Sequence, residues 1–281
     1  MAENEQCSQS GCSSESCEGC DRAAKGSLLQ EANIFSQVKK VIGIVSGKGG
    51  VGKSMVTASL AVQMAGKGYR VGILDADITG PSIPKMFGLT GPAEGDDHGL
   101  FPSETDSGIR VMSINLLMED REAPVIWRGP VIANMVKQFW SDVMWGELDY
   151  LFVDMPPGTG DVPLTVFQSL PIDGTVLVTS PQELVKMIVK KAYNMAKTMN
   201  IPMLGIVENY SYLECPDCGK KISVFGTSKI EEVSEEMGLL VFGKIPVLPA
   251  MAEIADAGNF DAYNNPYLEP GIALLEKMLE Q

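Results

Sequence analysis

Two sets of residues in this sequence are spaced to do chemistry. The first begins with Ser46-Gly47-Lys48-Gly49-Gly50-Val51-Gly52-Lys53-Ser54. Glycines in such a run let the backbone turn sharply and aim its N–H groups at phosphate oxygens, and a following helix N-terminus adds partial positive charge. Lys53 is placed to reach β- and γ-phosphates, and the Ser54 hydroxyl to complete a Mg²⁺ shell. Gly47, Gly49, Gly50, Val51 and Gly52 then supply the cradle. Asp77, in Asp75-Ala76-Asp77, can orient an attacking water or hold Mg²⁺ through its water shell. Asp154, in Phe152-Val153-Asp154-Met155-Pro156-Pro157-Gly158, fits a carboxylate held near Mg²⁺. The Pro-Pro-Gly turn after it offers the Gly158 N–H to a γ-phosphate. Asn209 can donate and accept at once, matching the edge of adenine, with Gly243 to Pro246 as the opposite wall. The second set is Cys215-Pro216-Asp217-Cys218. A Cys-x-x-Cys pair can chelate one metal, form a redox disulfide, or supply half of a four-sulfur site.

These residues need elements to hold them. Val41-Ile42-Gly43-Ile44-Val45 reads as a buried parallel strand, and Met55 to Ala65 as a helix, so the glycine run joins strand to helix. Further strands are expected at 70–75, 110–115, 149–154, 174–179, 203–208 and 239–245, the first running over 41–46. Helices are expected at 53–66, 129–145, 182–199, 227–237 and 268–280. That alternation predicts an α/β fold, a doubly wound, mostly parallel sheet with helices on both faces. Asp77, Asp154 and Asn209 then lie at the carboxyl edge of the sheet, where ligands bind. The segment 90–108 reads as a surface insertion, and Asp161 as a cap for a helix starting near Val162.

Residues 1–35 form a separate stretch dominated by Ser, Glu, Gln and Gly, expected to be a flexible tail ahead of one domain over 36–281. Its Cys7, Cys12, Cys17 and Cys20 could hold a cluster of their own, bind zinc, or stay unliganded. The net charge of −14 argues against a nucleic-acid or anionic-lipid partner. No run of 18 apolar residues suggests a membrane span, and the acidic N-terminus is unlike a signal peptide. A cytoplasmic protein is expected, in which clustered cysteines serve metal or redox chemistry. The one histidine, His98, lies in an acidic loop and carries no expected role.

The loop form KGGVGKS, with its second lysine at Lys48, resembles the deviant Walker A loop shared by nitrogenase iron protein, the MinD and ParA ATPases and the Mrp/ApbC proteins. With DADITGPS, VIWRGP, SDVMWGELDYLFVDMPPGTGD and NYSYLECPDCG, the sequence resembles the Mrp/ApbC/Nbp-type P-loop ATPases. The resemblance runs from about Lys39 to the C-terminus. It implies a homodimeric, slow ATPase that carries a 4Fe–4S cluster and passes it to apo iron–sulfur clients. In that likeness Lys48 reaches the partner's nucleotide, Asp77 positions water, Asp154 joins the metal shell, Gly158 lies beside the γ-phosphate, and Asn209 and Pro246 flank adenine. Two Cys215–Cys218 pairs would meet across the dimer. Tyr210 stands where bacterial members often have Met, and the tail's cysteine spacing departs from the N-terminal pattern of eukaryotic members. The rival readings are a positioning ATPase of the ParA or MinD kind, which needs a basic surface, and a zinc-stabilised nucleotide-binding module.

Overall fold

The computed structural model describes residues 29–118, 127, 129–181 and 185–280. The strands are β1 (Ser36–Ser46), β2 (Val71–Asp75), the two-residue β3 (Gly95–Asp96), β4 (Gly99–Leu100) and β5 (Ser103–Glu104), β6 (Arg110–Met112), β7 (Gly146–Asp154), β8 (Gly174–Thr179), β9 (Met203–Glu208), the short β10 (Leu213–Glu214) and β11 (Lys221–Ile222), and β12 (Leu240–Lys244). The helices are α1 (Lys53–Gly66), α2 (Ile83–Met86), α3 (Gly129–Ser141), α4 (Asp161–Ser169), α5 (Val185–Thr198), α6 (Ile230–Met237), α7 (Pro249–Asp256) and α8 (Glu269–Leu279).

Eight strands form one sheet in the order β12-β9-β8-β1-β7-β2-β6-β5. Every pairing in it is parallel except β5 on β6. Period-two alternation sends Val41, Val45, Leu151, Val153 and Leu177 to one face and Ile42, Ile44, Tyr150, Phe152 and Val176 to the other. The first set packs on α3, α4, α5 and α6, and the second on α1, α2, α7 and α8. Both faces are therefore dry, which is why the central strands read as continuous apolar runs rather than alternating ones. This is the expected doubly wound sheet.

Several boundaries differ from the sequence reading. β1 starts at Ser36, because the Ser36–Lys40 stretch pairs with β7 although all its residues are at least partly exposed and all but Val38 are polar. α3 ends at Ser141 rather than 145. Asp142 to Trp145 are drawn to Leu100 and β1: Leu100 N–H donates to Asp142 O at 2.8 Å, Met144 N–H to Leu100 O at 2.8 Å, and Trp145 N–H to Ser36 Oγ at 2.8 Å. β6 gives way after Met112 to a 3₁₀ turn over Ile114–Leu116. The 90–108 insertion contains the β3–β4 hairpin and β5. Residues 29–35 are docked on the body: Gln30 N–H donates to Ser169 O, Trp140 Nε1–H to Gln30 O, and the buried Asn33 amide to His98 O. Cys7, Cys12, Cys17 and Cys20 lie outside the described residues.

Candidate functional site

The glycine loop sits between β1 and α1 as expected. Gly50 and Gly52 both adopt φ +78°, a left-handed backbone that β-carbons disfavour. Gly52 O accepts from Val56 N–H and so starts the helix. Beside the loop is a cavity of about 320 Å³, bounded by Ser46, Gly49 to Met55, Asp77, Pro157 and, from α2 and α7, Met86, Ala252 and Ala255. Its size suits a nucleotide-sized ligand. Helix α7, not anticipated from sequence, thus supplies a wall; Pro249 at its first turn was the available signal. Among the described residues, buried Ser46 Oγ has no hydrogen-bond partner, and it lines this cavity. A polar ligand there would satisfy it.

The charged centre of the site is Asp154, fully buried at the end of β7. Lys53 Nζ lies 2.8 Å from Asp154 Oδ1 and 3.6 Å from Asp77 Oδ2. Ser54 Oγ donates to Asp154 Oδ2 at 2.5 Å, and Thr57 Oγ1 to Asp154 Oδ1 at 2.7 Å. Burial works against the Lys53 ammonium, but Asp154, then Asp77 and Asp75, outweigh it, so its pKa lies above the ordinary value. Asp75 and Asp154 are register partners on β2 and β7. Burial, then the charge of Asp154, pushes Asp75 up to about 8, against the pull of Lys53. Asp75 accepts from Ser113 Oγ and from Asp77 N–H. Asp77 itself is more open and faces the cavity; burial raises its pKa too. The two aspartates of the motif therefore occupy different environments, one fully buried, the other facing the cavity. The hydroxyl of Ser54 and the carboxylates of Asp154 and Asp77 form an all-oxygen donor set, which is what Mg²⁺ takes.

Lys48 is half-buried in the loop. Gly158 has φ +90°, and its N–H donates to Ser46 O at 2.8 Å, so in this state it is engaged with β1. Asp161 is the first residue of α4 rather than its cap, which is Gly160; its carboxylate sits where the helix end is positive. Asn209 directly follows the last residue of β9, and its amide faces the loop. Nδ2 donates to Val51 O at 3.0 Å, and Oδ1 accepts from Tyr210 N–H at 3.0 Å. An amide has a second Nδ2 hydrogen and a second Oδ1 lone pair for a further partner, but Asn209 is fully buried here. Pro246 is buried just beyond β12, where Ile245 N–H donates to Glu208 O and Ser211 N–H to Ile245 O. Thr57 was missed in the sequence, although it lies one turn beyond Ser54 on the face toward β7.

The cysteine pair caps the hairpin formed by β10 and β11. Cys215 N–H donates to Lys220 O at 3.0 Å and Gly219 N–H to Cys215 O at 2.9 Å, with Gly219 at φ +68° closing the turn. Both thiols are free, Cys215 half-exposed and Cys218 exposed. The Asp217 and Cys218 N–H groups, then the Cys218 thiol, donate to the Cys215 sulfur and hold its pKa below the ordinary range. Among the described residues, no three His, Cys, Asp or Glu side chains converge as one metal site. Within one chain, then, the hairpin offers two sulfur ligands.

With this geometry in place, the profile of the ParA family, described as NUBPL iron-transfer P-loop NTPase, matches residues 37–278. The chain belongs to that family. A Clostridium perfringens protein named iron-sulfur cluster carrier protein is 46% identical over 261 residues, covering 90% of each chain. A Methanocaldococcus jannaschii protein of the same name is 48% identical over 245 residues, covering 85% of this chain and 84% of the relative. Among solved structures, a nucleotide-binding protein from Archaeoglobus fulgidus in complex with ADP, with cobalt found, has a TM-score of 0.73 at 44% identity, covering 83% of this chain and 94% of that one. The Aquifex aeolicus MinD structure, at 20% identity and a TM-score of 0.58, shares the fold of this NTPase. No helix among the described residues is long and apolar enough to cross a membrane.

Proposed function

We propose that two copies of this chain hold a 4Fe–4S cluster between their Cys215–Cys218 pairs and pass it to apo-proteins, under the control of ATP bound and slowly hydrolysed at the P-loop. The observation that carries this reading is the free thiol pair on the β10–β11 turn, half-exposed at Cys215 and exposed at Cys218, in a chain with a nucleotide-sized cavity beside its glycine loop. Two sulfurs per chain satisfy half of a four-thiolate site, so a second, symmetry-related copy completes it. The names of the relatives from C. perfringens and M. jannaschii support the cargo. At the nucleotide, Lys53 would neutralise β- and γ-oxygens, Ser54 and Asp154 would hold Mg²⁺, Asp77 would position water, and Lys48 would act on the partner's nucleotide. A reducing, cytoplasmic setting keeps both thiols available.

The test is a metal and sulfide count. A full chain with Cys7, Cys12, Cys17 and Cys20 changed to Ala, reconstituted anaerobically, should bind about four irons and four sulfides per two chains, following four-thiolate ligation. Cys215→Ala in that background should remove the cluster and end its transfer to an apo-acceptor while nucleotide binding persists. One zinc per dimer with no sulfide would refute the carrier reading in favour of a zinc-stabilised module.

A further inference from the structure

Glu208 is the last residue of β9, fully buried, and none of the roles above uses its side chain. Each of its carboxyl oxygens takes one serine hydroxyl: Ser211 Oγ donates to Oε2 at 2.5 Å, and Ser228 Oγ to Oε1 at 2.9 Å. These two serines are the stems of the excursion over 212–227 that carries the cysteine hairpin. Ser211 leaves the sheet edge just before it, and Ser228 returns just ahead of α6. The two residues between Glu208 and Ser211 belong to the nucleotide loop instead. Asn209 binds Val51 O, and Tyr210, at φ +58°, turns its hydroxyl to within 3.0 Å of where a Cβ on Gly52 would stand. A non-glycine residue held in the left-handed region is costly and persists only where its surroundings impose it.

We propose that Glu208 is a positioning residue that ties the cysteine hairpin to the nucleotide loop, so that occupancy of the P-loop sets the placement of Cys215 and Cys218. The inference rests on the reading of that pair as the cargo site. Four consecutive residues serve the two sites: Glu208 and Ser211 clamp the hairpin stems, Asn209 holds Val51, and Tyr210 lies beside Gly52. The backbone around them is pinned on both sides, by Asn209 N–H to Thr179 O and Ser211 N–H to Ile245 O, each at 2.8 Å. A shift of Val51 is therefore passed to Ser211 within two residues rather than dissipated.

The experiment uses the full-length apo chain. Alkylation of Cys215 and Cys218 by iodoacetamide is followed peptide by peptide with mass spectrometry, with and without saturating MgATP. In the wild type, MgATP should change the rate at these two cysteines by about fivefold or more, the lower end of ordinary site-to-site coupling. In Ser211→Ala/Ser228→Ala the change should fall below about twofold while ADP affinity is kept, and Ser228→Thr should restore it. If the double variant loses ADP binding or fails to fold, Ser228→Ala alone decides, since Ser228 lies on the far stem. An equal nucleotide effect in wild type and variants, or none in the wild type, would overturn the proposal. Loss of the carrier reading would appear separately, as a chain that takes up no iron and sulfide whatever its thiol rates do.

Discussion

Replacing Thr57 by Val tests the network around Asp154 most directly. Asp154 is fully buried and takes Lys53 at 2.8 Å, Ser54 at 2.5 Å and Thr57 at 2.7 Å. Valine keeps the β-branched shape and removes one donor from a buried carboxylate. A hydrogen bond to a charged group contributes about 1.5–3 kcal/mol, and its loss inside the protein is not made good by water. The methyl that replaces the hydroxyl returns about 0.8 kcal/mol of apolar burial. The net cost is about 1–2 kcal/mol, or roughly 2–8 °C in Tm for a chain of this size. Urea unfolding of the nucleotide-free protein at unchanged m-value measures it. Thr57→Ser also loses stability, through the lost methyl, so turnover separates the two. Thr57→Val should lower kcat/KM for MgATP by about tenfold, equivalent to about 1.4 kcal/mol, and Thr57→Ser should not. A Thr57→Val protein as stable and as active as the wild type would show that Asp154 does not depend on this hydroxyl.

Gly52→Ala puts a Cβ 2.2 Å from Asn209 Nδ2 at a backbone φ of +78°, so binding of a fluorescent ADP should be lost; affinity within about twofold of wild type, against a strain of about 1–3 kcal/mol, would be the contrary result. Mixed dimers of Lys48→Ala and Asp77→Asn chains should recover turnover at one of two sites, because that site takes its Asp77 from one chain and its Lys48 from the other; no recovery after verified subunit exchange counts against action in trans. Asp75 gives a pH prediction. Its folded pKa of about 8 lies above the ordinary 3.8, so the native state keeps a proton that the unfolded chain loses. The stability this contributes is present below the unfolded value and lost as pH rises toward the folded one. Asp75→Asn keeps a neutral side chain of the same shape, so the fall in Tm between these two pH values should flatten; an unchanged slope would show that Asp75 is not the proton holder.

The sheet was legible because its central strands are dry on both faces, so Val41 to Val45 and Tyr150 to Val153 read as uninterrupted apolar runs. The polar half of β1 was not. Ser36 to Lys40 carry no such run, and only their pairing with Gly146 to Tyr150, far along the chain, makes them a strand. The same distance hid the end of α3, where helical propensity yields to Leu100 and Ser36. In the site, residues fixed by motif spacing fell where expected: Lys53, Ser54, Asp77 and Asp154 converge. Thr57 and the α7 wall depend on which helix face and which late segment reach the loop, and that is decided by packing.

Asn209 shows where local reading stops. Its place just past a strand end was legible, yet a side-chain amide has several partners within reach, and sequence does not choose among them. In the folded chain both of its polar ends are committed, one to Val51 and one to Tyr210. A contact with adenine through its second Nδ2 hydrogen or second Oδ1 lone pair would act on an amide that already holds the loop. Nucleotide recognition through Asn209 would therefore have a consequence at Tyr210, one step from Ser211, the first of the two serines that frame the cysteine hairpin. On that reading, a contact at the base side of the nucleotide would act on a side chain that lies on the proposed path to the thiols. Asn209→Ala should accordingly weaken ADP binding and also abolish the MgATP effect on Cys215 and Cys218 alkylation; loss of the first with full retention of the second would place the path elsewhere.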